Sequence, residues 1–184
     1  MTLEISRADL ADPHLHAFLA AHLADMAPTA PPESQHALDL DGLSRQGVRV
    51  WVARLDGVLV GTGALADLGP DSDDGGDDRH DRCVESRRRG SGHDGSRDHE
   101  GSHAELKSMR TDPSRRGAGI ASQMLAHLVD EARSRGIRRI SLETGSMEFF
   151  APARRFYARA GFVECAPFGS YVEDPNSVFM TLEL

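Results

Sequence analysis

Residues 116–121, Arg-Gly-Ala-Gly-Ile-Ala, are the part of this chain whose types and spacing most directly define a chemistry. They follow a strand-like run, residues 104–111, through Asp112-Pro113, and a helical pattern begins at once after them. A glycine-rich turn between a strand and a helix leaves several backbone N–H groups unpaired and pointing one way, at the positive end of the helix dipole. Such a turn cradles a phosphate with main chain rather than with charged side chains. Without a ligand it is simply a strand-to-helix turn, and the six residues alone leave both readings open. The nucleotide-triphosphate loop needs four residues between its glycines and then Lys-Ser or Lys-Thr, which do not occur here. The dinucleotide fingerprint needs a third glycine, but Gly117-Ala118-Gly119 runs on to Gln123-Met124 without one. What remains is Arg-x-x-Gly-x-Ala at Arg116, Gly119 and Ala121.

Several elements must position this loop. Alternation predicts a short strand over 2–6, and apolar residues at Leu15, Phe18, Leu19 and Leu23 predict a helix over 10–26 that a proline cluster ends. A second short helix is expected over 34–46. Residues 48–55 and 58–65 are strands joined by Asp56-Gly57, a strong hairpin signal. After the loop, Ile120, Met124, Leu125, Leu128 and Val129 recur at helical spacing over 120–135, with Gly136 where a C-terminal cap belongs. A strand over 137–143, a helix over 151–160 closed by Gly161, and strands over 162–168 and 178–184 complete the chain. The order β-α-α-β-β-β-α-β-α-β-β makes an α/β domain with a mixed central sheet flanked by helices.

The bulk properties bound the function. At 184 residues with 39% hydrophobic content, the chain suits a single domain with a real core. A net charge of −8 argues against nucleic acid as the main partner and is compatible with a cationic substrate such as an amine. Two cysteines do not make a disulfide framework. The first residues lack a basic segment followed by an apolar one, and no apolar run approaches the roughly 20 residues of a membrane span, so a cytoplasmic protein without membrane contact is expected. Composition changes abruptly over about 70–102, where Asp, Gly, Arg, His and Ser dominate. Such a segment cannot bury enough surface to offset its ordering entropy, and it is read as a disordered insertion within the domain. His80, Cys83, His93, His99 and His103 match no compact zinc spacing, so no metal is expected.

The element order and three motifs resemble the GNAT superfamily of acetyl-coenzyme A-dependent N-acetyltransferases. The glycine loop is similar to the family's pyrophosphate loop. Ala-Glu-Leu-Lys-Ser-Met-Arg-Thr-Asp-Pro at 104–113 resembles its central strand, and Ala153-Arg154-Arg155-Phe156-Tyr157 with Ala160-Gly161-Phe162 resembles its Ala-x-x-x-Tyr-x-x-x-Gly-Phe signature. More narrowly, the motifs at 108–111, 141–157 and 173–180 are similar to a bacterial subgroup of the YsnE type. The resemblance covers the chain apart from 70–102.

The resemblance implies a GNAT fold, acetyl-CoA as the acetyl donor, and an amine acceptor, either a small molecule or a peptide. Met109, Arg110 and Thr111 would offer main-chain groups to the pantetheine arm and the thioester carbonyl, and Arg116, Gly117, Ala118, Gly119, Ile120 and Ala121 would hold the pyrophosphate. Glu105 occupies a position where many members carry a carboxylate base; otherwise it is a strand-end surface carboxylate. Tyr157 matches the tyrosine that protonates the departing thiolate; otherwise it is a core tyrosine with a satisfied hydroxyl. His36, Asp39 and Asp41 fall where the fold lines its acceptor cleft, and Glu143 ends a strand in the same region, although capping roles fit these residues too. Arg154 and Arg155 read as a solvated helix face. One departure is Phe150, where many members have a cofactor-contacting Asn; Ser146 and Glu143 are the polar residues near enough to substitute. A homodimer is compatible with the family. A non-catalytic acyl-CoA sensor on the same fold is the alternative, and it would need neither Glu105 nor Tyr157.

Overall fold

A computed structural model describes residues 2–26, 40–70 and 102–184, with strands and helices in the expected order. Strand β1 (Leu3–Arg7) leads to helix α1 (Pro13–Met26) and the short helix α2 (Leu40–Leu43). Strands β2 (Val48–Leu55), β3 (Val58–Pro70) and β4 (Ser102–Thr111) precede helix α3 (Ile120–Ser134). Strand β5 (Arg139–Gly145), helix α4 (Ala151–Arg159) and strands β6 (Val163–Glu164) and β7 (Ser177–Glu183) follow. The insertion expected over 70–102 falls, apart from its ends, outside the described residues. So do the first residues of the second helix.

The seven strands form one sheet in the order β1-β2-β3-β4-β5-β7-β6. Every pair is antiparallel except β4 with β5, which α3 connects. Two apolar layers cover the sheet. On one face Ile120, Met124, Leu125, Leu128 and Ala132 of α3 pack with Trp51, Leu65, Ala104, Leu106, Ile140 and Leu142. On the other, Leu15 and Leu19 of α1 and Leu43 of α2 cover Val50, Val52 and Ala64. The helix seats closely because β3 carries Gly63 beneath it: a Cβ there would lie 2.7 Å from Leu128 Cδ1 and 2.9 Å from Met109 Sδ.

Local chemistry explains most boundaries. Asp12 caps α1, accepting from His14 N–H at 2.8 Å, with Pro13 at the first helical position. Gly136 closes α3 as expected, its N–H bonding to Arg133 O while Ile137 N–H bonds to Ala132 O. The strand expected over 162–168 is instead only Val163–Glu164. Cys165 N–H makes a bond to Phe179 O at 3.0 Å, and Pro167, which has no N–H to donate, carries the chain away from the sheet. That departure is consequential, because the freed segment folds back over the polar face of β4, β5 and β7.

Candidate active site

The site begins where two parallel strands part. Strands β4 and β5 pair at His103↔Arg139, Ala104↔Ile140 and Glu105↔Ser141. Beyond that point β4 continues to Thr111 bonded to β3, and β5 continues to Gly145 bonded to β7. The main-chain groups of residues 107–111 that face away from β3 therefore border a slot instead of a neighbouring strand.

A β-bulge directs the side chains of this segment. The register steps from Thr62↔Arg110 to Ala64↔Lys107, so Ser108 and Met109 together oppose Gly63. Ser108 has φ +52°, and Thr62 Oγ1 donates to its carbonyl at 2.9 Å. The extra residue reverses the alternation. Ala104, Leu106 and Met109 all meet the α3 core, while Glu105, Lys107 and Arg110 face the opposite side. Without the bulge Arg110 would point at α3; with it, Arg110 reaches α1.

The glycine loop sits at the end of β4. Asp112 accepts from Ser114 N–H at 2.8 Å and Ser114 Oγ–H at 2.7 Å, bonds that hold its carboxyl below the usual range and turn the chain into Pro113–Arg115. Gly117 (φ +80°) and Gly119 (φ +78°) then adopt left-handed conformations that a side chain would strain. Gly119 is the N-cap of α3, with no side chain bonded to the first turn, so its early N–H groups remain for a ligand. Ala118 N–H is partly committed, to Arg115 O at 3.3 Å. Ile120 has only main chain to offer a ligand, since its side chain is in the core. No added Cβ at Gly117 or Gly119 would touch the protein, so the space above the loop is open.

Slot and loop open into one cleft of about 390 Å³. Its walls include Met109, Arg110 and Thr111 from β4, Arg116, Gly117 and Ala121 from the loop, and Tyr157 from α4. Phe149, Phe150, Pro152 and Phe156 form an apolar wall, and His22 and Asp25 close the α1 side. Tyr157 is held by Phe156 and Phe162 at ring-centroid distances of 5.2 and 5.6 Å, and its hydroxyl has no hydrogen-bond partner among the described residues. Burial pushes the phenol well above its ordinary pKa, so it is fully protonated through the neutral range.

Glu105 is buried and not a surface carboxylate. Its Oε1 accepts from Lys107 Nζ at 2.7 Å and from Tyr171 O–H at 2.6 Å, and Lys107 Nζ also lies 2.8 Å from the Tyr171 oxygen. Tyr171 comes from the segment between β6 and β7 and packs against Phe168 and Phe179. Its phenol is raised by burial and by the adjacent Glu105. Glu143 lies on the same face of the sheet, accepting from Ser177 Oγ at 2.7 Å. Deeper in this layer His103 Nε2 lies 2.8 Å from Ser141 Oγ.

The structure therefore gathers Met109, Arg110, Thr111, Arg116, Gly117, Ala121 and Tyr157 around one cleft, with Glu105 and Glu143 in the polar layer beside it. His36 and Asp39 lie outside the described residues, and Asp41 sits in the first turn of α2. At the position where many family members have an Asn, Phe150 lines the cleft, while Ser146 Oγ donates to Pro175 O at 2.7 Å. Arg155 is exposed as expected, but Arg154 is half-buried: its Nη1 donates to Gly145 O and Met147 O, fastening the turn into α4. Lys107, Tyr171, His22 and Asp25 were not singled out from sequence. Lys107 had a signal, since it sits two residues from Glu105 on a strand and must share its face. The other three arrive from segments distant in sequence.

Comparison with known proteins agrees with this geometry. The model of the acetyltransferase (GNAT) family matches residues 15–162. The chain is 39% identical over 182 residues to the uncharacterized N-acetyltransferase YsnE of Bacillus subtilis (strain 168), covering 99% of this chain and 100% of that protein. It is 35% identical over 180 residues to the uncharacterized N-acetyltransferase YedL of Escherichia coli (strain K12), covering 98% and 94%. Among solved structures, the PaiA N-acetyltransferase of Thermoplasma acidophilum in complex with coenzyme A aligns over 100% of both chains with a TM-score of 0.62 at 14% identity, a likeness of fold. The split parallel strands, the glycine loop at the head of α3 and these relatives converge: the chain belongs to the acetyltransferase (GNAT) family and is an acetyl-CoA-dependent acetyltransferase.

Proposed function

We propose that the protein moves the acetyl group of acetyl-CoA onto a primary amine by direct attack within a ternary complex. One observation carries this reading: the cleft brings the unpaired edge of β4, the uncapped head of α3 and the Tyr157 phenol to one space. Bound acetyl-CoA would supply the activated acyl carbon. The main-chain N–H groups of Gly117, Gly119, Ile120 and Ala121 would bind its pyrophosphate beside Arg116. Main chain at Met109–Thr111 would lie along the pantetheine, and an N–H near Met109 would donate to the carbonyl oxygen as it gains charge. The binding of coenzyme A by the PaiA relative supports this use of the fold.

Glu105 would take the amine's proton, directly or through a water. As it stands, Oε1 is engaged by Lys107 and Tyr171, so a proton must arrive at Oε2 or displace one of those bonds. Tyr157 would serve the departing sulfur. Because its proton is firmly held, its contribution is a hydrogen bond that stabilises the sulfur as the C–S bond breaks; coenzyme A leaves as the thiolate and takes its proton from solvent.

The test is thiol release from acetyl-CoA across a panel of small amines, amino acids and peptides. Turnover with at least one amine is expected. Tight coenzyme A binding with no turnover on any of them would replace this reading with an acyl-CoA sensor.

A further inference from the structure

The cleft contains a histidine that the roles above leave unused. His22 lies on the last turns of α1 and lines the same cleft as Met109, Thr111 and Tyr157. Its Nδ1 is 3.1 Å from Arg110 Nη1, and Arg110 Nη2 donates to Asp25 Oδ2 at 2.9 Å. The guanidinium also lies 5.3 Å from the centre of the Phe18 ring. The Arg110 side chain is only 9% exposed, so this contact is set within the packing between α1 and β4.

Hydrogen-bond chemistry then decides the state of the imidazole. A guanidinium has five N–H donors and no acceptor. The bond to Arg110 therefore requires a lone pair on Nδ1, which makes the ring neutral and places its single proton on Nε2. Among the described residues, the charged groups that face the ring are Arg110 from β4 and Asp25 from α1. Burial and then Arg110 hold its pKa down at about 4, and Asp25 opposes them without prevailing. With Nδ1 committed, His22 has no free lone pair to act as a base. What it offers is a donor.

We propose that the Nε2–H of His22, held in one tautomer by Arg110, is a permanent hydrogen-bond donor in the cleft for a carbonyl or carboxylate oxygen of a bound reactant. This rests on the transfer reaction proposed above. Two sources present that oxygen: an amide carbonyl of the pantetheine arm, or an oxygen on the acceptor molecule. The role is one of binding and not of proton transfer, because the proton stays on Nε2 throughout.

Two measurements test it. Long-range proton–nitrogen spectra of protein labelled in histidine, assigned by difference against His22→Gln, should show His22 neutral with Nε2 protonated from pH 5.5 to 8. Titration near the ordinary value of about 6.5, or a proton on Nδ1, would overturn the proposal. Second, His22→Leu should weaken one reactant about tenfold with kcat nearly unchanged, and His22→Gln, which keeps an N–H donor, should restore most of that loss. A rise in the coenzyme A dissociation constant assigns the pantetheine oxygen; a rise in acceptor KM alone assigns the acceptor oxygen. No change in either, or a hundredfold fall in kcat with both unchanged, overturns the donor role. If no amine turns over, the proposed reaction fails, while the spectra and the coenzyme A titration still decide the state of His22.

Discussion

Lys107→Met is the most informative perturbation of the layer beside the cleft. Lys107 and Glu105 have side-chain exposures of 10% and 8% and approach to 2.7 Å. At an effective dielectric near 20 the gross attraction at that separation is about 6 kcal/mol. Much of it offsets the desolvation of both charges, so the intact pair contributes little net stability. Removing one partner is a different matter, because Glu105 keeps its burial and, among the described residues, has only the Tyr171 hydroxyl left as a side-chain partner. The expected loss is about 3–4 kcal/mol, which for a chain of this size lowers Tm by roughly 6–16 °C. Glu105→Gln alone should cost a comparable amount by stranding Lys107. The double variant should recover part of the loss, giving a coupling of about 2–3 kcal/mol in a double-mutant cycle read by urea unfolding. Strictly additive effects, or a Lys107→Met loss below about 1 kcal/mol, would refute the reasoning that these charges are buried as a pair.

Other perturbations give separate checks. Tyr157→Phe keeps the ring packing and removes the hydroxyl; kcat should fall about a hundredfold with coenzyme A affinity unchanged, and wild-type turnover would remove Tyr157 from the chemistry. Gly63→Ala forces a methyl to 2.7 Å from Leu128 and 2.9 Å from Met109, so it should cost about 1–3 kcal/mol by chemical denaturation and weaken coenzyme A binding as Met109 shifts. His22 has a folded pKa of about 4 against an unfolded value near 6.5, so the unfolded chain binds the extra proton between those values. Stability is then complete above about pH 6.5 and falls toward pH 4, by on the order of 1–2 kcal/mol at pH 5 once partial exposure is discounted. His22→Gln should flatten that slope in urea titrations at pH 7.5 and 5; an unchanged slope would place the loss on other groups.

Much of the framework was legible in sequence because it rests on local rules. The helical spacing of Ile120, Met124, Leu125 and Leu128, the cap at Gly136, the hairpin at Asp56-Gly57 and the glycine loop each depend on neighbours a few residues apart. Their order was enough for the fold, since a strand, a right-handed helical crossover and a parallel strand leave few alternatives. The cleft-lining stretches 109–111 and 116–121 were legible for the same reason, as main chain at the end of a strand and the start of a helix.

The side-chain environment of the site was not. The bulge at Ser108 depends on Thr62 and Gly63 of the neighbouring strand, and it decides that Arg110 meets α1 instead of α3. Tyr171 reaches Glu105 across 66 residues of chain because Pro167 turns the segment out of the sheet. The contact of Arg110 with His22 spans 88 residues and selects one tautomer of an imidazole that sequence leaves ambiguous. Local periodicity therefore determined which elements exist, their order and the main-chain cradle. Packing between distant segments decided which charges are paired, which hydroxyl is unpartnered and which nitrogen carries a proton, because those properties depend on burial and on partners that only the folded chain brings within hydrogen-bond distance.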